Sequence, residues 1–110
     1  MITSKAVVPD ISLIHPTTLT TMDTFLTGCT GLDALTRAIE VYVSLGPSPL
    51  TALHALQVMR LVSANLEKSL AEPLDPEYRT SIMRGSREAG FAFSNASVGA
   101  VHAMSNDALF

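Results

Sequence analysis

The sequence holds one cysteine, Cys29, so no internal disulfide can form within the chain. A reducing cytoplasm is the expected compartment. Charge is scarce: Asp, Glu, Lys and Arg make up 15% of residues, against 47% hydrophobic ones. That balance excludes a disordered tail and calls for helices with more buried than exposed surface. A basic surface is missing as well. The formal net charge is -3, and the seven Lys and Arg residues are scattered, with only Arg84 and Arg87 close together. No nucleic-acid partner is expected. No apolar run reaches the roughly 20 residues that span a bilayer, so no membrane partner is expected either. The opening MITSKAVVPD has one lysine and no long apolar core, and no signal peptide is expected. What is present is 110 residues, enough for one small domain that buries a core without covalent staples.

Breakers divide that domain. KAVVPDISLIHP carries β-branched residues interrupted by Pro9, which predicts one or two short extended segments before about Thr17. The polar TTLTTMDT reads as a loop ending in an N-cap at Thr21 or Asp23. A first helix is predicted from about Thr24 to Leu45, stopped by Gly46-Pro47. Ser48-Pro49 restarts the chain as a hydroxyl cap followed by proline in the first turn, and the second helix runs to about Ala71. Its polar residues Thr51, His54, Gln57, Arg60 and Ser63 recur every third position and wind round the cylinder. That pattern predicts a helix packed on several sides. Asp75-Pro76 opens a third helix to about Ser94, where Ser86, Gly90 and Ser94 would admit a neighbouring backbone. A short fourth helix is expected over Gly99 to Leu109. The fold class is therefore all-α, a helical bundle with a short extended N-terminal segment.

Asp33 and His102 stand out for chemistry. Asp33 lies four residues before Arg37 on the first helix, and that spacing alone reads as an i,i+4 ion pair worth a few tenths of a kcal/mol, about 0.2–0.5, if exposed. His102, on the apolar VGAVHAMS, reads by the same standard as a hydrogen-bonded core histidine. His54 reads as structural or half exposed, and nothing near His15 gives it a role. Cys29, among small residues, is expected to be a buried small hydrophobe.

Three stretches, TGLDALTRAIEVYVS, NLEKSLAEPLD and AGFAFSNASVGAVHAMSN, occur in order along the chain. With their spacing they resemble the helical domain of the iron-containing (group III) alcohol dehydrogenases, from about Lys5 to Asn106. The family pattern Thr-Gly-Met-Asp-Ala-Leu-x-His-Ala-Ile-Glu is matched except at Leu32 and Arg37. The pattern Asn-Ala-x-x-Gly-x-Val-His-Ala-x-x-His is matched at Asn95, Ala96, Gly99, Val101, His102 and Ala103.

The resemblance implies an NAD(P)-dependent oxidoreductase that interconverts alcohols with aldehydes or ketones at a divalent metal, Fe²⁺ or Zn²⁺. The metal would act as a Lewis acid on the alcohol oxygen. It further implies metal ligation at Asp33 and His102. Met22 and Leu26, in HPTTLTTMDTFL, would lie beside the nicotinamide end of the cofactor. Residues 1–110 would then be a partial helical, metal-binding-type domain, with the nucleotide-binding α/β domain absent.

Two departures qualify that picture. Arg37 stands where the family has a ligand histidine, and a guanidinium has no lone pair to give a metal. Asn106 replaces a second histidine of the last motif. The chain is thus expected to be a fragment or degenerate member, inactive alone and weak in metal and NAD(P) binding. A non-catalytic helical interaction module is the alternative, with self-association driven by surplus apolar surface. A related dehydroquinate synthase-like or glycerol-phosphate dehydrogenase chain is a further one, although TGLDALTRAIE favours the alcohol dehydrogenase branch. A homo-oligomer is expected.

Overall fold

The computed structural model describes residue 6, residues 9–44 and residues 47–94. Three helices, α1 (Thr24–Val43), α2 (Pro49–Ala71) and α3 (Pro76–Ser94), follow a short 3-10 turn over Pro16–Leu19. No strand occurs among the described residues, and the all-α class holds. Residues 11–15 form no regular element and are exposed. An extended segment with no neighbouring strand has nothing to pair its backbone groups with. The polar stretch after it, read as a plain loop, contains the 3-10 turn. His15 has a role after all: its Nδ1 accepts the Thr17 N–H at 3.4 Å and caps that turn.

Each α-helix begins where a short polar side chain can take up a free N–H. Asp23 Oδ1 accepts from Leu26 N–H at 2.7 Å, and Ser48 Oγ accepts from Thr51 N–H at 3.1 Å. Asp75 Oδ1 accepts from Glu77 N–H at 2.8 Å and from Tyr78 N–H at 3.3 Å. Pro49 and Pro76 follow two of these caps, where a missing N–H costs nothing. The first helix ends at Val43, two residues before the expected Leu45. There Ser44 turns extended, and its hydroxyl donates to the Val41 carbonyl at 2.9 Å. The expected fourth helix lies outside the described residues.

The helices run up, down, up. Gly31 of α1 meets Leu66 of α2, and Val62 of α2 meets Gly85 of α3, so α2 lies antiparallel between its neighbours. The expectation that α2 packs on several sides needs correction. Its buried residues, Thr51, Ala55, Val58, Val62 and Ser69, form one row, while Leu50 and Leu53 are exposed. Small and β-branched side chains in that row let both neighbours close in. A Cβ placed on Gly85 would lie 2.8 Å from Val62 Cγ2. The run Ser86, Gly90, Ser94 admits no backbone here: all three are exposed, and Gly90 has nothing within 4 Å of its would-be Cβ. The close approach falls one residue earlier than the small-residue spacing predicts.

Helix α1 has two apolar rows on opposite sides. Thr27, Gly31, Ala34, Ala38 and Val41 are buried, whereas Phe25, Leu32, Ile39 and Val43 are exposed. Cys29 belongs to the outer row and is exposed, contrary to the expectation of burial. It lies two residues from Thr27 and Gly31, and two residues turn a side chain to roughly the far side of a helix.

Candidate metal and cofactor site

Helices α1 and α3 run in the same direction with a groove between them. At its beginning, Arg79 on the first turn of α3 reaches back towards the segment before α1. It is 4% exposed, and among the described residues its side-chain hydrogen bonds go to three carbonyls. Nε donates to Pro73, one Nη donates to Leu19, and Nη2 donates to the Met22 oxygen at 3.2 Å. A buried guanidinium paired with no carboxylate among the described residues is tolerated because its fork of donors is spread over several acceptors. Beyond it the groove opens into a cavity of about 290 Å³. Met22, Thr30, Ala34, Ile82 and Met83 line its walls. The polar side chains in this wall are largely satisfied by their own helices: Thr27 Oγ1 donates to the Asp23 carbonyl at 2.8 Å, and Thr30 Oγ1 to the Leu26 carbonyl at 2.9 Å.

At the far end of the groove lies the pair singled out in the sequence. Arg37 Nη2 donates to Asp33 Oδ2 at 3.0 Å, with both side chains partly exposed. The guanidinium carbon sits 5.1 Å from the centroid of the Phe93 ring, near the end of α3. Arg37 Nε is buried and has no hydrogen-bond partner among the described residues. The i,i+4 pairing expected from spacing is therefore present, and a ring holds it from across the groove.

The remaining candidates divide. Met22 is half-buried, lines the cavity and has its carbonyl held by Arg79. Leu26 is exposed on the first turn of α1 and is not among the cavity residues. His102 and Asn106 lie outside the described residues, so the structure brings Asp33 together with Arg37 and Phe93 but shows nothing of Asp33 with His102.

A second polar cluster ties α2 to α3. His54 Nδ1 lies 2.6 Å from Glu88 Oε2, and Arg87 Nη2 donates to Glu88 Oε1 at 2.7 Å. The Arg87 hydrogen bond holds the Glu88 carboxyl below the usual carboxylate range; burial works against it, and the His54 contact adds to the lowering. His54 is half exposed and stacks obliquely on Phe91, with ring centroids 5.6 Å apart. Sequence reading missed both Arg79 and this cluster. Glu88 is 34 residues from His54, and no local spacing announces the contact.

The residues described do not fit a divalent metal. One Asp33 oxygen already accepts from a guanidinium, and the residue four positions on is a cation with no lone pair. Among the described residues no three His, Cys, Asp or Glu side chains gather as a metal site would require. Of the two residues expected beside the nicotinamide, Met22 lines the cavity and Leu26 is exposed outside it.

Comparison with known proteins decides the family. The model of the Fe-containing alcohol dehydrogenase family, C-terminal region, matches residues 27–108. The chain belongs to the Fe-containing alcohol dehydrogenase family. It is 36% identical over 104 residues to long-chain-alcohol dehydrogenase 1 of Geobacillus thermodenitrificans, covering 94% of this chain and 26% of that protein. It is 38% identical over 98 residues to 1,3-propanediol dehydrogenase of Klebsiella pneumoniae, covering 89% and 25%. Among solved structures, an alcohol dehydrogenase from Oenococcus oeni superposes with a TM-score of 0.80 at 35% identity, covering 83% of this chain and 24% of that one. The chain spans about a quarter of the length of the curated relatives it matches. The matched span of this Fe-containing alcohol dehydrogenase chain includes Asp33, Arg37 and His102.

Proposed function

We propose that the chain is the helical part of an NAD(P)-dependent alcohol dehydrogenase, one that interconverts alcohols with aldehydes or ketones, and that it is inactive alone. The observation that carries this reading is the family match over residues 27–108, with its fold seen in a relative at 35% identity. In this reading Met22 and Leu26 supply apolar surface beside the nicotinamide. Asp33 and His102 occupy the positions of family metal ligands, while Arg37 sets this chain apart from that pattern. The apolar groove and the Asp33–Arg37 pair can bound a substrate cleft.

A graft tests it. The matching segment of the Oenococcus oeni enzyme is replaced by this chain, and NAD(P)H binding and aldehyde reduction are measured beside the chain alone. The expected result is binding by the graft and no aldehyde reduction by the chain alone. A folded graft that fails to bind NAD(P)H would overturn the reading.

A second reading, a helical module that self-associates, is favoured by a specific observation. Phe25 is 81% exposed and Val43 71%, on the outer row of α1. Large apolar side chains displayed along one helix face favour association with another surface. We propose on this ground a homo-oligomer in the cytoplasm, the lone exposed Cys29 fitting a reducing compartment. Sedimentation equilibrium giving a monomer across a wide concentration range would remove it.

A further inference from the structure

The guanidinium of Arg37 is held more firmly than an i,i+4 pair on a helix surface usually is. Asp33 Oδ2 accepts from Nη2 at 3.0 Å, the Phe93 ring lies 5.1 Å below the guanidinium carbon, and Nε is buried. A solvated surface pair samples many rotamers and loses its geometry. Here the carboxylate fixes one edge of the fork, and the ring fixes its plane by cation–π attraction. The result is a positive charge positioned against the one carboxylate that a metal ion would need.

A divalent ion at Asp33 would have to displace that charge or lie beside it. Displacement breaks a charge-assisted hydrogen bond and leaves the guanidinium against the ring without its counter-ion. Coexistence places three positive charges about one carboxylate, in a groove whose neighbouring wall is apolar. The buried Nε–H gains nothing from a cation, since a donor requires an acceptor. Each route is unfavourable, and none depends on where His102 lies.

We propose that the Arg37 guanidinium is the resident cation of this site, standing in place of a divalent metal ion and excluding one. The proposal rests on the dehydrogenase reading only for the expectation that a metal would be sought at Asp33. Charge neutralisation at Asp33 then comes from the chain itself.

The test uses the chain as it stands, with Zn²⁺ alone as probe. Calorimetric titration of the unmodified chain should show no saturable one-to-one binding. Arg37→His should bind at least tenfold more tightly, and Asp33→Ala in the Arg37→His background should lose that gain. Tight one-to-one binding by the unmodified chain, abolished by Asp33→Ala, would overturn the proposal. So would a folded Arg37→His chain that gains nothing, because the arginine would then not be what excludes the ion. If Arg37→His does not fold, NMR of the unmodified chain decides. The Arg37 Nε–H signal should exchange with water at least tenfold more slowly than those of the exposed Arg60 and Arg84, and should not move on adding Zn²⁺. A Zn²⁺-dependent shift or loss of that protection would overturn it. These readouts concern ion binding by the chain alone, so failure of the graft to bind NAD(P)H would leave them standing.

Discussion

Helix α2 meets its two neighbours by close contact, whereas α1 and α3 meet each other across a gap. At the α2 seams the approach is limited by single atoms: Val62 against Gly85, and Leu66 against Gly31. Between α1 and α3 there is a cavity of about 290 Å³ with Arg79 in its wall, and farther along the same two helices Arg37 meets Phe93. The difference lies in the residues facing each other. Small and β-branched side chains close the α2 seams to van der Waals contact, while Met22, Ile82 and Met83 stand around the groove without filling it. Of the residues that carry the family resemblance, Thr30, Gly31 and Ala34 line that cavity, while Gly31 and Leu66 also meet at the tight α1–α2 seam. Precise packing on one side leaves a shaped space on the other.

The two arginines differ in the same way, and Arg79 gives the largest expected effect. It is buried, and its donors serve three carbonyls from two segments, Pro73 and the Leu19–Met22 stretch. Arg79→Ala leaves those acceptors without a partner and should cost about 3 kcal/mol of stability. Urea denaturation measures this. Arg79→Lys should recover less than half, since one ammonium cannot reproduce the fork. If Arg79→Ala costs less than about 1 kcal/mol, the groove is not held at this end and the contrast between junctions weakens.

The tight seam is probed next. Gly85→Ala puts a methyl 2.8 Å from Val62 Cγ2, on a valine that is 0% exposed and stiff at its single torsion. Overpacking should outweigh the helix-propensity gain of alanine, for a net loss of about 1–2 kcal/mol. Gly90→Ala, on the same helix with nothing within 4 Å, should stabilise by up to about 1 kcal/mol. Opposite signs in thermal or urea unfolding are the expected outcome. Equal effects would mean that the α2–α3 seam is looser than its geometry.

A smaller effect comes from the polar tie across that seam. The Glu88 carboxyl has its pKa lowered in the folded chain, first by Arg87 and then, against the opposing effect of burial, by His54. A depressed folded value means that the stabilisation is fully present above the unfolded value, near about 4.3, and is lost as pH falls through the lower folded one. The urea midpoint should therefore drop on acidification below about pH 4.3. Glu88→Gln should cost about 1 kcal/mol at neutral pH and flatten that drop. An unchanged acid limb in Glu88→Gln would show that other carboxylates set it.

Much of this was readable in the sequence, and the reasons are local. Asp23, Ser48-Pro49 and Asp75-Pro76 mark helix starts because a cap acts within three residues. The Asp33–Arg37 pair was legible for the same reason, being one helical turn apart. What was not legible depends on register between helices. No pattern within α2 says that Thr51 faces inward and Leu53 outward until the positions of α1 and α3 are known. Likewise the small-residue spacing pointed to Gly90, but the rotation of α3 about its axis brought Gly85 to the contact. The roles of Arg79 and Glu88 arise from residues 57 and 34 positions away, which no cap or period encodes.

The smallest effect completes the contrast between the arginines. Arg37 makes one ion pair that is partly exposed on both sides and one ring contact, against three carbonyl bonds for Arg79. A helical i,i+4 pair contributes about 0.3–0.5 kcal/mol, and a cation over a ring at a partly exposed site adds about 0.5. Set against these is the buried Nε–H, which has no partner among the described residues and whose desolvation penalty is of comparable or larger size. Arg37→Ala should therefore change stability by less than about 0.5 kcal/mol in either direction, read as the shift in urea midpoint. The screening of an exposed pair adds a second signature: any cost seen at low salt should shrink in 0.5 M NaCl, whereas the loss in Arg79→Ala should persist. A salt-insensitive cost above about 1 kcal/mol at Arg37 would mean that both ends of the groove are structural clamps. The near-neutral result instead marks Arg37 as a residue whose charge, and not its packing, is what the position contributes.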